Sequence, residues 1–316
     1  MFALCIESSH ARGMGHLFRA CNLAAALQSA GHSCRIYINA HPPALARLAA
    51  MGLAHGVVDL EDQQNNDWEG RLIARDGIRV WIDDRHDTGA DHALRVKRQG
   101  IRLVTFDDRG SGAAHADLNI AALAFDSGEQ LPGRRVLRGV DYLILNPEIL
   151  RYRRARTEAR RLVVTLGGSD TYGVSVKVVR GLRAAGRTAT IIVGPSFAHD
   201  RELSAAVGPE FVVKRSVPSL AAELAQYDLA ITGGGITPFE ANAAGLPCLV
   251  IANEPFEIPV GRQLERLGGC IFAGHHLEWD EAVLRRDLPI EAMSRAGLAR
   301  IGLEGAARVV RELIAI

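Results

Sequence analysis

Short apolar runs alternate with longer stretches in which apolar positions recur every three or four residues, and the alternation begins at once. FALCIE (2–7) reads as a buried strand, HLFRACNLAAALQSAG (16–31) as a helix, CRIYIN (34–39) as a strand and PALARLAAMG (43–52) as a helix. Strands that are apolar on both faces and separated by helices belong to a parallel sheet with helices packed on it. Further strands are expected at IRVWID (78–83), RLVTFD (102–107) and ADLNIA (116–121), which complete a Rossmann-like half.

The pattern starts again at LVVTLGG (162–168). It continues through TATIIVG (188–194), EFVVKR (210–215), DLAITGGG (228–235) and PCLVIA (247–252), each followed by a helical stretch. Two α/β domains are therefore expected, at 1–146 and 161–316, and 316 residues suit two cores better than one. Between them RYRRARTEARR (151–161) carries six Arg and one Glu, which makes 147–160 the expected solvated linker. Ligands of such sheets sit beyond the carboxyl ends of the strands, so the loops there should hold the chemistry.

Composition narrows the class. With 48% hydrophobic and 23% charged residues the chain is that of a globular enzyme, and a net charge of +1 excludes an electrostatic nucleic-acid binder. MFALCIESSH lacks the basic start and apolar core of an export signal, and no apolar run is long enough to span a bilayer. Any membrane contact would be peripheral. The five cysteines are scattered in apolar runs with no CxxC pair, so they are expected as buried, reduced thiols of a cytoplasmic protein.

Two glycine loops stand out. In the first, Gly13-Met14-Gly15-His16-Leu17-Phe18-Arg19 follows the first strand and opens a helix. Gly13 and Gly15 allow a ligand close to the backbone, and His16 falls in the first helical turn with Arg19 one turn on. A helix N-terminus disfavours imidazolium, which makes His16 either a general base or a capping and packing residue of an ordinary turn. A dinucleotide site does not fit: Phe18 replaces the third glycine of GxGxxG, and the second strand ends in Asn39 rather than an acid. The second loop, DLAITGGGITPFEANAAGLPCLVI (228–251), exposes the amides of Gly233, Gly234 and Gly235 before a helix that opens at Ile236 and Thr237. That arrangement suits a pyrophosphate. Glu240 lies one turn beyond Thr237, where it would meet sugar or ribose hydroxyls, and Asn253-Glu254 end the next strand.

In order, GMGHLFRACNLA (13–24), LVTFDDRG (103–110), VVTLGGSD (163–170), the second glycine loop and LEGAARVV (303–310) resemble one family along nearly the whole chain. They resemble the UDP-sugar hydrolases of pseudaminic acid biosynthesis and related spore-coat polysaccharide proteins, similar in fold to the glycosyltransferase that makes lipid II. The resemblance implies a GT-B-like architecture, two Rossmann-like domains facing across a cleft. It also implies cleavage of UDP from an amino-deoxy sugar such as a 2,4-diacetamido-2,4,6-trideoxy sugar. It makes His16 the residue that activates water, Glu240 and Asn253 substrate-binding, and Gly234, Gly235 and Thr237 part of the nucleotide diphosphate site. The loops themselves add Gly13, Gly15, Arg19, Arg85, Asp107 and Glu254 toward the substrate, and Gly167, Gly168 and Gly233 toward the nucleotide, where Glu240 is also expected. Arg85 stands where the hydrolases carry a substrate-contacting Tyr, which should change the sugar or acceptor accepted.

With a sugar or lipid hydroxyl in place of water the same motifs describe a glycosyltransferase, and without turnover a nucleotide-sugar binding module. No cofactor or metal is expected, because glycine amides and helix ends hold the diphosphate. The acidic pairs Asp83-Asp84 and Asp107-Asp108 offer a metal or acid alternative, with Asp107 or Asp108 available to orient His16. His275-His276 lacks further ligands at zinc spacing, and no G-x-S-x-G elbow occurs. A monomer is expected, its partner a UDP-sugar.

Overall fold

The computed structural model describes residues 1–9, 14–60, 67–85, 87–123, 130–215 and 217–316. Contacts divide the chain into two units: residues 1–144 with 304–316, and residues 145–303.

The first unit runs β1 (Phe2–Ile6), α1 (Gly15–Ser29), β2 (Cys34–Ile38), α2 (Pro42–Ala50), β3 (His55–Val57), α3 (Trp68–Asp76), β4 (Val80–Asp84), α4 (Ala90–Arg98), β5 (Arg102–Phe106), β6 (Leu118–Ala121) and β7 (Val136–Arg138). Its strands are parallel, in the order β3-β2-β1-β4-β5-β6-β7. β1, β4 and β6 are buried along their whole length, as continuous apolar runs require. The sheet separates two cores. Leu4, Ile6, Val80 and Ile82 face α1, whereas Ala3, Cys5 and Trp81 face α3 and α4.

The second unit runs β8 (Leu162–Thr165), α5 (Val174–Ala184), β9 (Thr190–Val193), α6 (Asp200–Ala206), β10 (Val212–Arg215), α7 (Leu220–Leu224), β11 (Leu229–Thr232), α8 (Thr237–Ala243), β12 (Cys248–Ala252), α9 (Glu257–Arg266), β13 (Cys270–His275) and α10 (Ile290–Arg300). The order is β10-β9-β8-β11-β12-β13, again parallel. In each sheet the chain works outward in one direction and then restarts on the other side of its first strand. The reversal falls between β1 and β4 in one unit and between β8 and β11 in the other. Loops diverge at such a point and leave a crevice for a ligand.

The boundaries depart from 1–146 and 161–316. α11 (Gly305–Ala315) buries Val309, Val310 and Leu313 in the core of the first unit against α1, and Gly305 lies against the carbonyl of Leu143. Nor is 147–160 a solvated linker. Ile149 is buried, Glu148 accepts a hydrogen bond from the Ser219 hydroxyl at 2.6 Å, and Arg156 is only 2% exposed. The Arg156 guanidinium donates to the carbonyls of Ala244, Tyr227 and Arg154, and its own amide donates to Ser294 Oγ. The arginine-rich run enters the interior because Arg154 and Arg156 together donate to carbonyls just past the ends of α8 and α7, those of Ala244 and Tyr227.

All five cysteines are buried free thiols. Among the described residues no helix is long and apolar enough to cross a membrane.

Candidate active site

In the first domain the strand order reverses between β1 and β4, and the residues near their ends carry the candidate chemistry. Met14 precedes α1, and His16 and Arg19 sit on its buried face. His16 Nδ1 is 2.6 Å from Asp84 Oδ1. Arg19 grips the same carboxylate: Nε donates to Asp84 Oδ2 at 2.7 Å and a terminal nitrogen donates to Oδ1. Its other terminal nitrogen donates to Asp107 Oδ2 at 2.5 Å, and the guanidinium lies 5.0 Å over the Phe106 ring. Asp107 has φ +49°, a conformation rare without glycine, and its second oxygen accepts the Leu123 amide at 2.8 Å. Arg19 therefore joins the ends of β4 and β5.

Burial works to raise the Asp84 carboxyl, but the Arg19 guanidinium and His16 outweigh it and hold the group far below the usual carboxylate range. A permanent carboxylate accepts a hydrogen bond from the Nδ1–H of His16. The tautomer is thereby fixed, with Nε2 as the basic nitrogen.

The acidic pairs do not act as pairs. Successive side chains of a strand point to opposite faces, so Asp84 meets α1 while Asp83 meets α3 and α4. Asp83 accepts from Trp81 Nε1 at 3.0 Å and lies 3.0 Å from His92 Nε2; His92 Nδ1 is 2.7 Å from Glu69. Burial alone would lower His92, but Asp83 and Glu69 lift it to about 9, so it is a buried imidazolium between two carboxylates. Asp108 Oδ1 accepts the amides of Thr88 and Gly110, 3.2 and 2.7 Å away. The residue beside His16 is thus Asp84, not Asp107 or Asp108. Arg85 is half-buried just past β4, where burial disfavours its charge but Cys5, Asp83, Glu7 and Asp87 favour it more, and its buried Nε has no partner among the described residues. Gly15 is the first residue of α1, with open space where a Cβ would be; Gly13 lies outside the described residues.

In the second domain four adjacent strands, β8, β11, β12 and β13, bring their following loops together. Gly167 (φ +90°) and Gly168 follow β8, and the Gly168 carbonyl accepts the Ser196 amide at 3.0 Å. Asp170, at φ +44°, accepts the amides of Val174 and Ser175 that open α5. After β11 the three glycines adopt no left-handed backbone, and proximity restricts the first two. A Cβ at Gly233 would stand 2.7 Å from Asn253 Nδ2, and one at Gly234 would stand 2.7 Å from Glu257 Cβ. At Gly235 the space is open. Thr237 begins α8, and burial pushes Glu240, one turn on, up to about 7 against the lowering effect of the Asn146 amide. Asn253 Oδ1 is buried with no partner among the described residues. Such an oxygen costs free energy unless a ligand or water supplies a donor.

Two features here were not singled out from the sequence. Glu257 Oε2 accepts the amides of Asn253 at 2.7 Å and Gly234 at 3.1 Å. Tyr172 stacks on His276 with centroids 4.4 Å apart, and its hydroxyl donates to Glu254 at 2.8 Å. Only the Gly-Gly pair before it hinted that Tyr172 would reach this end of the sheet.

The chain is thus a protein of two Rossmann-like α/β domains, GT-B-like in class, with a buried His-Asp pair beside the strand-order reversal of the first domain and glycine loops after neighbouring strands of the second. Similarity in sequence runs to the spore coat polysaccharide biosynthesis protein SpsG of Bacillus subtilis (strain 168), 24% identical over 286 residues, 85% of this chain and 82% of that one. MurG of Acinetobacter baumannii superposes with a TM-score of 0.69 at 12% identity, over 100% of this chain and 99% of its own. The glycosyltransferase VinC in complex with dTDP gives 0.63 at 15% identity, over 100% and 99%. No protein-family model matches the chain.

Proposed function

We propose that the protein is a nucleotide-sugar enzyme of polysaccharide biosynthesis in which His16 deprotonates a hydroxyl nucleophile. The observation that carries this reading is the His16–Asp84 contact of 2.6 Å at the point where the strand order reverses between β1 and β4. The nucleophile gives its proton to Nε2 and bonds to the anomeric carbon of the sugar, whose bond to the diphosphate oxygen breaks. Asp84 stabilises the imidazolium that forms. Arg19 donates to Asp84 and Asp107, and Asp107 also accepts the Leu123 amide, so we assign both to positioning rather than to substrate. The amides around Gly167, Gly168, Gly233, Gly234, Gly235 and Thr237 receive the departing diphosphate, and Glu240 the ribose hydroxyls. Gly13, Gly15, Arg85, Asn253 and Glu254 are assigned to the sugar.

The sequence motifs put water first as the nucleophile. The likeness in fold to glycosyltransferases favours a sugar or lipid hydroxyl instead, and transfer is the reading adopted. Hydrolysis stays as the second reading because the ordered motifs resemble UDP-sugar hydrolases.

The test is release of nucleoside diphosphate from a panel of UDP-sugars, 2,4-diacetamido-2,4,6-trideoxy sugars included, by the native protein and His16→Ala. Release that needs an added alcohol acceptor and is lost in the variant supports transfer; release in water alone identifies the hydrolase. Binding that survives His16→Ala, with no turnover in either protein, leaves a binding module and refutes both.

A further inference from the structure

The backbone amides of Gly234 and Asn253, from the ends of neighbouring strands β11 and β12, point at one oxygen of the Glu257 carboxylate. Two amides converging on one oxygen are what an anionic ligand oxygen seeks in a glycine loop. Glu257 is the first residue of α9, so the carboxylate closes back over the chain that leads into its own helix. A Cβ on Gly234 would stand 2.7 Å from the Glu257 side chain, so the glycine is what admits it. Burial raises the Glu257 carboxyl above its ordinary value, more than the amides of Asn253, Gly234 and Glu254 lower it. The amides thus do not fully repay the charge for its lost water.

We infer that Glu257 is an internal surrogate for a phosphate oxygen, holding the amide pair of Gly234 and Asn253 in place and yielding it to the nucleoside diphosphate when that ligand binds. This rests on the reading of the second domain as the nucleotide site. The ligand must displace a charge-assisted contact and then bear a carboxylate nearby, so Glu257 lowers nucleotide affinity and does so in proportion to the phosphate charge. A purely structural tie would have the opposite effect, since weakening it would loosen the loop and cost affinity for every ligand.

The test is calorimetric titration of the full chain and Glu257→Gln with uridine, UMP and UDP. The glutamine keeps a carbonyl for the amides and loses the charge. UDP should bind the variant on the order of tenfold more tightly, as expected for one charge-assisted hydrogen bond no longer opposed. UMP should gain less, and uridine should not change. An equal affinity, or a loss shared by all three ligands, overturns the inference. If the native protein binds no UDP, it is the nucleotide reading that fails. Should the variant not fold, native protein carrying carbon-13 at the Glu carboxyls answers instead: the Glu257 resonance must move with UDP saturation, and a stationary resonance overturns the inference.

Discussion

At the scale of single residues, two carboxyls set different expectations because their surroundings push them in opposite directions. Asp84 is pinned as an anion by Arg19 and orients His16. Asp84→Asn replaces one acceptor oxygen with an amide nitrogen and removes the charge that stabilises the imidazolium. Its kcat should fall by about 100-fold or more, while KM for the nucleotide sugar changes little; steady-state kinetics on a turned-over sugar decide it, and a full-rate variant refutes the assignment. Glu240 is pushed the other way, to about 7, by burial. As a carboxylate it accepts hydrogen bonds from ribose hydroxyls, so affinity for a UDP-sugar, whose diphosphate does not titrate there, should rise as pH climbs through about 7. Glu240→Gln should bind weakly with no such slope. Stability runs against binding. A carboxyl raised on folding contributes fully below its ordinary value and loses that contribution as pH rises through about 7. The variant should therefore melt a few degrees above the native protein at pH 8 and not at pH 5.

At the scale of elements, what the sequence reveals depends on how far apart the cooperating groups lie. Long apolar strands announce themselves, and the loops after β1, β8, β11 and β12 could be located from the pattern alone. The three-residue strands β3 and β7 are too short for any periodicity to register. Asp84 was visible as one of an adjacent acidic pair. Its partnership with His16 spans 68 positions and depends on which face of β4 it takes, so the sequence offered Asp107 or Asp108 for that role instead. The arginine run misled for a similar reason. Its composition is that of a surface, and only the ends of α7 and α8 supply the carbonyls that draw Arg156 inward. Arg156→Ala removes its bonds to those carbonyls, to which Arg154 still donates, and the lost hydrogen bonds and packing should cost about 1–2 kcal/mol. Denaturant unfolding of the variant measures it; a cost under about 0.5 kcal/mol, usual for a surface site, would mean that the segment is a linker after all.

At the scale of the molecule, the second domain interrupts the first. The pattern of apolar runs reads as two consecutive halves because α11 looks like one more helix of the latter half, and its buried face carries no mark of which sheet it covers. Its Val309, Val310 and Leu313 complete the core around Leu4, Leu17 and Ile82. Residues 304–316 follow the whole of 145–303 in the chain. On a ribosome, then, the domain that begins first is the one completed last: its sheet emerges early, but its core closes only after the entire second domain has been made.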